Sequence, residues 1–285
     1  IVLLKKIKNL RQILDNQQVE TLGLVPTMGA LHQGHLSLIE QSKQECDVVV
    51  VSIFVNPTQF NDPNDLSKYP RTLNQDLEAI NKVGEDVLVY VPSVEEIYPN
   101  GIKSEKFDFG GLSQCMEGVY RQGHFDGVGT VLKRLFDLVK PDKAYFGNKD
   151  FQQLAVVKKL VEITGQNLKI IGCETFREPN GLAKSSRNKL LNENEKEQAS
   201  VIFESLDFAK SHFQSKSISE IKKIVNSKFK SLENFKLEYF EIAAEDDLIP
   251  TEVAEENKNY RAFIAAYCSG VRLIDNMALN SIQCK

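Results

Sequence analysis

The sequence predicts an α/β fold, a doubly wound parallel sheet with a smaller α+β domain behind it, and two observations carry that expectation. The first is alternation. Short β-branched or aromatic runs bounded by Gly, Pro or charge recur at Leu22–Val25, Val48–Val55, Val87–Val91, Ala144–Phe146 and Ile170–Cys173, as buried strands do. Between them Leu36–Cys46, Leu73–Val83, Val128–Val139 and Phe151–Thr164 space apolar residues three and four apart, the mark of a helix with one buried stripe. Strand and helix in alternation give a parallel sheet covered on both faces, a Rossmann-like arrangement. Its right-handed crossovers bring the loops that follow the strands to one edge, where ligands bind.

The second observation is a change of texture after Cys173. Glu174–Asn188 is polar and turn-rich, with Pro179, Asn180 and Gly181 in sequence. Charged helices are expected from about Glu193 to Gln214 and from Ile218 to Phe229, then alternating strands at Leu237–Ile242, Tyr260–Tyr267 and Val271–Ile274. A boundary near residue 175 follows, with a first domain over 1–175 and an α+β lid domain over 176–285. Asn61–Tyr69 reads as a mobile loop, because Asn, Asp, Pro and Ser favour turns and pin little apolar surface.

Composition narrows the partners. The 285 residues are 42% hydrophobic and 26% charged, ordinary globular usage. Thirty-five Lys and Arg against 39 Asp and Glu give a net charge of -4, without the basic excess expected of a nucleic-acid binder. No apolar run approaches the roughly 20 residues that span a bilayer, and Ile1–Leu4 before Lys5 and Lys6 lacks the order of a secretory signal. The five cysteines are scattered without a Cys-x-x-Cys pair and read as reduced thiols of a cytoplasmic protein.

Chemistry is expected at the strand ends. The run Pro26-Thr27-Met28-Gly29-Ala30-Leu31-His32-Gln33-Gly34-His35 leaves a strand and enters a helix at once. Gly29 and Gly34 have P-loop spacing, but His35 and Leu36 stand where that motif needs Lys and Ser or Thr, so a true P-loop is excluded. A helix start still offers N–H groups and partial positive charge to phosphate. His32 and His35, three apart, fall on one side of that first turn. Two histidines could also hold zinc, but no third ligand is in view, and nucleotide phosphate is the better reading. Asn56 and Gln59 follow the next strand as neutral amides suited to a hydroxyl or carboxylate. Gly147-Asn148-Lys149-Asp150 opens a helix after a later strand, with Lys149 a point charge for phosphate and Asp150 a cap or ribose ligand. Lys184-Ser185-Ser186-Arg187-Asn188 combines hydroxyls with a fixed cation, as an oxyanion clamp would.

The first turn and the Lys184–Arg187 loop together resemble the paired signature of class I aminoacyl-tRNA synthetases and nucleotidyltransferases. Within that superfamily the strings PTMGALHQGH, SIFVNPTQF, YPRTLNQD, RQGHFDGVGTVL, YFGNKDFQQL, REPNGLAKSSRN, EYFEIA and RLIDNMAL, in family order from residue 26 to 279, resemble the pantoate–β-alanine ligases. The resemblance implies an AMP-forming ligation of pantoate to β-alanine through a pantoyl adenylate, with ATP bound as its magnesium complex, in a cytoplasmic homodimer. It assigns ATP to Met28, Gly29, Ala30, Leu31, His32, Gln33, Gly34 and His35, to Gly147, Asn148, Lys149 and Asp150, to Phe176, and to Lys184, Ser185, Ser186 and Arg187. His35, His32 and Lys149 would be catalytic, with His35 the family's proton donor. Gln59 and Gln153 would hold pantoate, Gln59 also β-alanine, and Asp76 would contact magnesium. Two other readings stay open: an adenylyltransferase that keeps AMP in its product, and a nucleotide-binding sensor or assembly subunit without turnover.

Overall fold

The computed structural model describes residues 1–17, 19–60 and 63–279. Two compact units divide them. The first holds Ile1–Phe109, Glu117–Asn148 and Gln153–Glu174; the second holds Gly110–Met116, Lys149–Gln152 and the chain from Thr175 onward.

The first unit begins with β1 (Val2–Leu4) and α1 (Ile7–Asn16), then β2 (Leu22–Thr27), α2 (Gln33–Glu45) and β3 (Val48–Ile53). Next come α3 (Pro63–Lys68), α4 (Leu73–Val83), β4 (Leu88–Tyr90) and α5 (Val94–Ile97). After α6 (Glu117–Tyr120) and α7 (His124–Val139), β5 (Lys143–Gly147), α8 (Phe151–Thr164) and β6 (Lys169–Cys173) complete the sheet. Its order is β1-β4-β3-β2-β5-β6, every pairing parallel. Chain order runs outward from β2 through β3 to β4, then returns to place β5 on the other flank of β2. That reversal makes the edge beyond β2 and β5 the ligand edge. Apolar runs without polar alternation suit strands covered on both faces, and Val25, Val49, Val51 and Val89 are buried against Ile39 and Ile80 of the covering helices.

The second unit carries α9 (Glu193–Gln198), α10 (Ser200–His212), α11 (Ile218–Lys230) and an antiparallel sheet of β7 (Phe235–Ala244), β8 (Tyr260–Cys268) and β9 (Val271–Ala278). Ile202, Leu206, Ile221 and Val225 of the helices close over Phe240, Ile242 and Ile264 of the sheet.

Three expectations are corrected. Pro63–Lys68 is a helix rather than a mobile loop: proline at a first helical position presets the φ that the turn needs. Asn61 and Asp62, where that loop was to begin, lie outside the described residues. The long helix expected from Glu193 breaks at buried Ala199, whose ψ of -10 ends one helix and starts the next. Leu22–Val25, the first run read as a strand, is preceded by the short edge strand β1, whose Val2 and Leu3 are exposed.

Candidate active site

Thr27 ends β2 with its hydroxyl donating to the Ser52 carbonyl of β3 (2.8 Å) and accepting the Gly29 N–H (3.2 Å). The chain then turns through two left-handed residues, Gly29 (φ 77) and Ala30 (φ 50). Asp76, from the first turn of α4, secures that turn. Its carboxylate accepts the N–H groups of Ala30 (3.0 Å) and Leu31 (2.8 Å) and the Thr72 hydroxyl (3.2 Å), at 2% exposure.

The Gly29, Ala30 and Leu31 N–H groups donate within the turn, to Thr27 and Asp76. The Asp76 carboxylate, expected to contact magnesium, instead serves these two backbone donors, Ala30 and Leu31, and the Thr72 hydroxyl. Among the described residues no group of three or more His, Cys, Asp or Glu could hold a metal ion.

Helix α2 starts three residues before the apolar periodicity, with His32 as its N-cap. The His32 N–H donates to His35 Nδ1 (3.3 Å), and the two rings stack with centroids 4.0 Å apart. With Nδ1 accepting, the neutral His35 ring carries its proton on Nε2. Gln33 is exposed and Gly34 half-buried beside them. The N-terminus of α2 adds the field that attracts an anion.

Gln59 reaches the same edge from β3. Its Nε2 donates to Met28 Sδ (3.0 Å), and its Oε1 accepts from Asn56 Nδ2 (3.1 Å). The sequence reading did not anticipate how firmly the Gln59 backbone is held. The His124 ring donates from Nδ1 to the Gln59 carbonyl (2.9 Å), while Arg121 lies 3.0 Å from His124 Nε2. Gly127 of α7 packs so closely that a Cβ there would fall 2.2 Å from the Thr58 carbonyl oxygen and 2.8 Å from the Gln59 nitrogen. The signal for these contacts was the RQGHFDGVG string, where the apolar periodicity showed a helix only from Val128 while the helix begins at His124.

At β5 the chain passes through Gly147 into Asn148, whose amide occupies space that Gly172 leaves open: a Cβ at 172 would lie 2.5 Å from Asn148 Oδ1. Gln153 stands half-buried in the opening turn of α8, in the first unit. Thus Met28, His32, His35, Gln59, Gly147, Asn148 and Gln153 all lie on first-unit segments that leave β2, β3 and β5.

Lys149, Asp150, Phe176 and Lys184–Arg187 belong to the second unit. Lys149 Nζ lies 3.7 Å from the Asp150 carboxylate. Gln152 is buried and donates to the Leu112 and Cys115 carbonyls (2.8 and 2.9 Å), which fixes the turn that bears Lys149. Phe176 pairs with Lys184, whose N–H donates to the Phe176 carbonyl (2.9 Å), and Arg177 bridges to Ala183. The Lys184 ammonium is engaged by Glu178 of the same hairpin. Ser185 caps the following 3₁₀ turn, Ser186–Leu190, by accepting the Arg187 N–H (3.3 Å).

A doubly wound sheet with a helix start and paired histidines at its strand-order reversal places an anion-attracting turn at the edge where open α/β folds bind their ligands. The pantoate-beta-alanine ligase family model matches residues 2–278, and the chain belongs to that family. It is 51% identical over 262 residues to the pantothenate synthetase of Christiangramia forsetii, covering 92% of this chain and 93% of that protein. The Flavobacterium psychrophilum pantothenate synthetase is 52% identical, again over 92% and 93%. The crystal structure of the Thermus thermophilus pantothenate synthetase superposes with a TM-score of 0.88 at 37% identity, over 97% of this chain and 99% of that one. The Francisella tularensis pantoate-beta-alanine ligase, solved with beta-gamma ATP and beta-alanine, gives 0.80 at 39% identity over 98% and 97%. No described helix is long and apolar enough to cross a membrane.

Proposed function

We propose that this chain condenses pantoate with β-alanine, using ATP and releasing AMP and pyrophosphate through a pantoyl adenylate. One observation carries the geometric side of this reading: the amide of Gln59 rests 3.0 Å from Met28 Sδ, on the segment that runs from β2 into the His32–His35 turn. A neutral acid-holding group thus adjoins an anion-attracting helix start. Attack of the pantoate carboxylate on the α-phosphorus brings two anions together and builds charge on nonbridging oxygens. The site therefore needs fixed donors and cations rather than a nucleophilic side chain.

In this reading His32 and His35 donate to the phosphates, and Lys149, Ser185 and Arg187 add charge and hydrogen bonds. Gly147–Asp150, Phe176 and the Lys184–Arg187 segment hold the rest of ATP, the last through its backbone and hydroxyls, since Glu178 engages the Lys184 ammonium. Gln59 and Gln153 hold pantoate, and Gln59 also meets β-alanine. The pantoate ligands Gln59 and Gln153 lie in the first unit, and the second unit, which takes Lys149–Gln152 as well as the chain from Thr175, carries Lys149 and the Ser185–Arg187 donors. Magnesium enters as part of the ATP substrate. The second step needs only an unprotonated amine, since the adenylate is already an activated acyl group. A cytoplasmic homodimer completes the proposal.

The test follows one oxygen. Pantoate labelled with heavy oxygen in its carboxylate should yield labelled AMP, because one carboxylate oxygen leaves with AMP when the amine attacks. Without β-alanine, pyrophosphate should appear in a burst of about one per site, the adenylate being held out of water. Release of ADP, unlabelled AMP, or AMP transfer onto a stable phosphate ester would overturn the assignment.

Gly127 supplies a second prediction. Gly127→Ala should drive the Thr58–Gln59 backbone off α7 and raise the pantoate KM about tenfold or more, with the ATP KM changed less than twofold, a displacement effect of modest size. Equal changes in both constants would argue against a pantoate seat at Gln59.

A further inference from the structure

Two adjacent residues of β9 stand outside every role assigned so far. Asp275 and Asn276 belong to the RLIDN string and are 3% and 4% exposed. Successive residues of a strand face opposite ways, and these two reach different segments of the second unit. Asp275 takes Arg177 in a two-pronged ion pair (2.6 and 3.0 Å), and Arg177 also donates to the Gly181 carbonyl (2.9 Å). Asn276 goes the other way. Its Nδ2 donates to the backbone carbonyl of Lys149 (2.7 Å), and its Oδ1 accepts from Arg261 Nη1 (2.7 Å).

Arg261 completes the support. Its guanidinium lies 3.8 Å over the Phe151 ring, two residues beyond Lys149, while its Nε donates to Glu245 (2.8 Å). Arg261 pairs with Ala278 and Phe263 with Asn276, which sets Arg261 and Asn276 diagonally on one face of the sheet. The 149–151 segment is therefore gripped at a carbonyl and at a ring by two side chains that hydrogen-bond to each other. A lysine has four rotatable bonds beyond its backbone, so where its ammonium can go depends on where its carbonyl is fixed.

We propose that Asn276 is a positioning residue for adenylate formation, acting through Lys149: it fixes the backbone from which the phosphate-binding ammonium projects. The proposal rests on the reading of Lys149 as an ATP ligand. The test is a double-mutant cycle on single-turnover pyrophosphate release. Asn276→Ala should slow the step about tenfold in the otherwise native enzyme, and less than twofold in a Lys149→Ala background, where there is no ammonium left to place. Asn276→Asp keeps volume and the acceptor toward Arg261 while removing the donor toward Lys149. It should show the same background dependence, and it serves if Asn276→Ala does not fold.

A general structural role for Asn276 would slow both backgrounds by the same factor, and that result overturns the proposal while leaving Lys149 in its role. A near-native rate for Lys149→Ala alone would overturn the reading of Lys149 and this inference with it. Native rates for both Asn276 variants would overturn the inference alone.

Discussion

His35→Ala and Lys149→Ala should each fold and yet form adenylate about 10²–10³-fold more slowly, the scale of removing one preorganised donor, about 3–4 kcal/mol. Neither side chain belongs to a buried core. His35 is half-buried at the start of α2, and the Lys149 side chain is 18% exposed. Removing the His35 ring takes the acceptor from the His32 N–H, a capping loss of about 1 kcal/mol that most domains tolerate. The two variants should therefore melt near the native temperature. ATP affinity should fall less than the rate, because charge on the α-phosphate oxygens develops only as the carboxylate attacks. Pyrophosphate release in a single turnover measures the step; rates within a few-fold of native in both variants would remove these residues from the chemistry. His35→Gln, which retains an N–H donor, should recover part of the loss if His35 works as a hydrogen-bond donor rather than by giving up its proton.

Asp76→Ala should cost about 3–5 kcal/mol of folding stability, because it strands two backbone N–H groups and a hydroxyl in a nearly closed site. It should also lower activity, since the His32–His35 pair hangs from the same turn. The carboxylate does more than accept hydrogen bonds. Ala30 sits at φ 50, a conformation that costs a residue with a Cβ about 1–2 kcal/mol, and Asp76 holds it there. Ala30→Gly should thus recover about 1 kcal/mol in the Asp76→Ala background. Urea midpoints of the single and double variants measure both effects. A native midpoint for Asp76→Ala, or no rescue by glycine, would show that the turn keeps its shape without the carboxylate.

Helix α4 (Leu73–Val83) and helix α8 (Phe151–Thr164) were readable to the residue, because each has an unbroken apolar stripe between clear boundaries. The strands were readable too, their Val and Ile runs being too short for helices. β1 escaped notice because three residues, two of them exposed, make no pattern. At the site, the pairing of His32 with His35 follows from three-residue spacing alone, and so does the place of Gln59 at a strand end. The hold of Asp76 on the turn does not: backbone N–H groups have no signature in sequence, so an aspartate that binds them looks like any other carboxylate of a first helical turn. The bond from Asn276 to Lys149 is hidden for a different reason. It joins positions 127 residues apart through a carbonyl, and only the folded β8–β9 register shows that the two meet.

That last contact also sets a timetable for the nascent chain. Lys149 leaves the ribosome long before Asn276, yet its carbonyl has no β9 donor until residue 276 has been made. Gly110–Met116 must likewise wait, since they pack with a unit most of which begins at Thr175. Once β2 is made, each new strand of the first unit's sheet can pair with one already made, whereas these two early segments stay unfinished until nearly the whole protein exists. Catalytic competence should accordingly arrive late and all at once, so that a stalled or shortened product would contain the histidine turn without working as an enzyme.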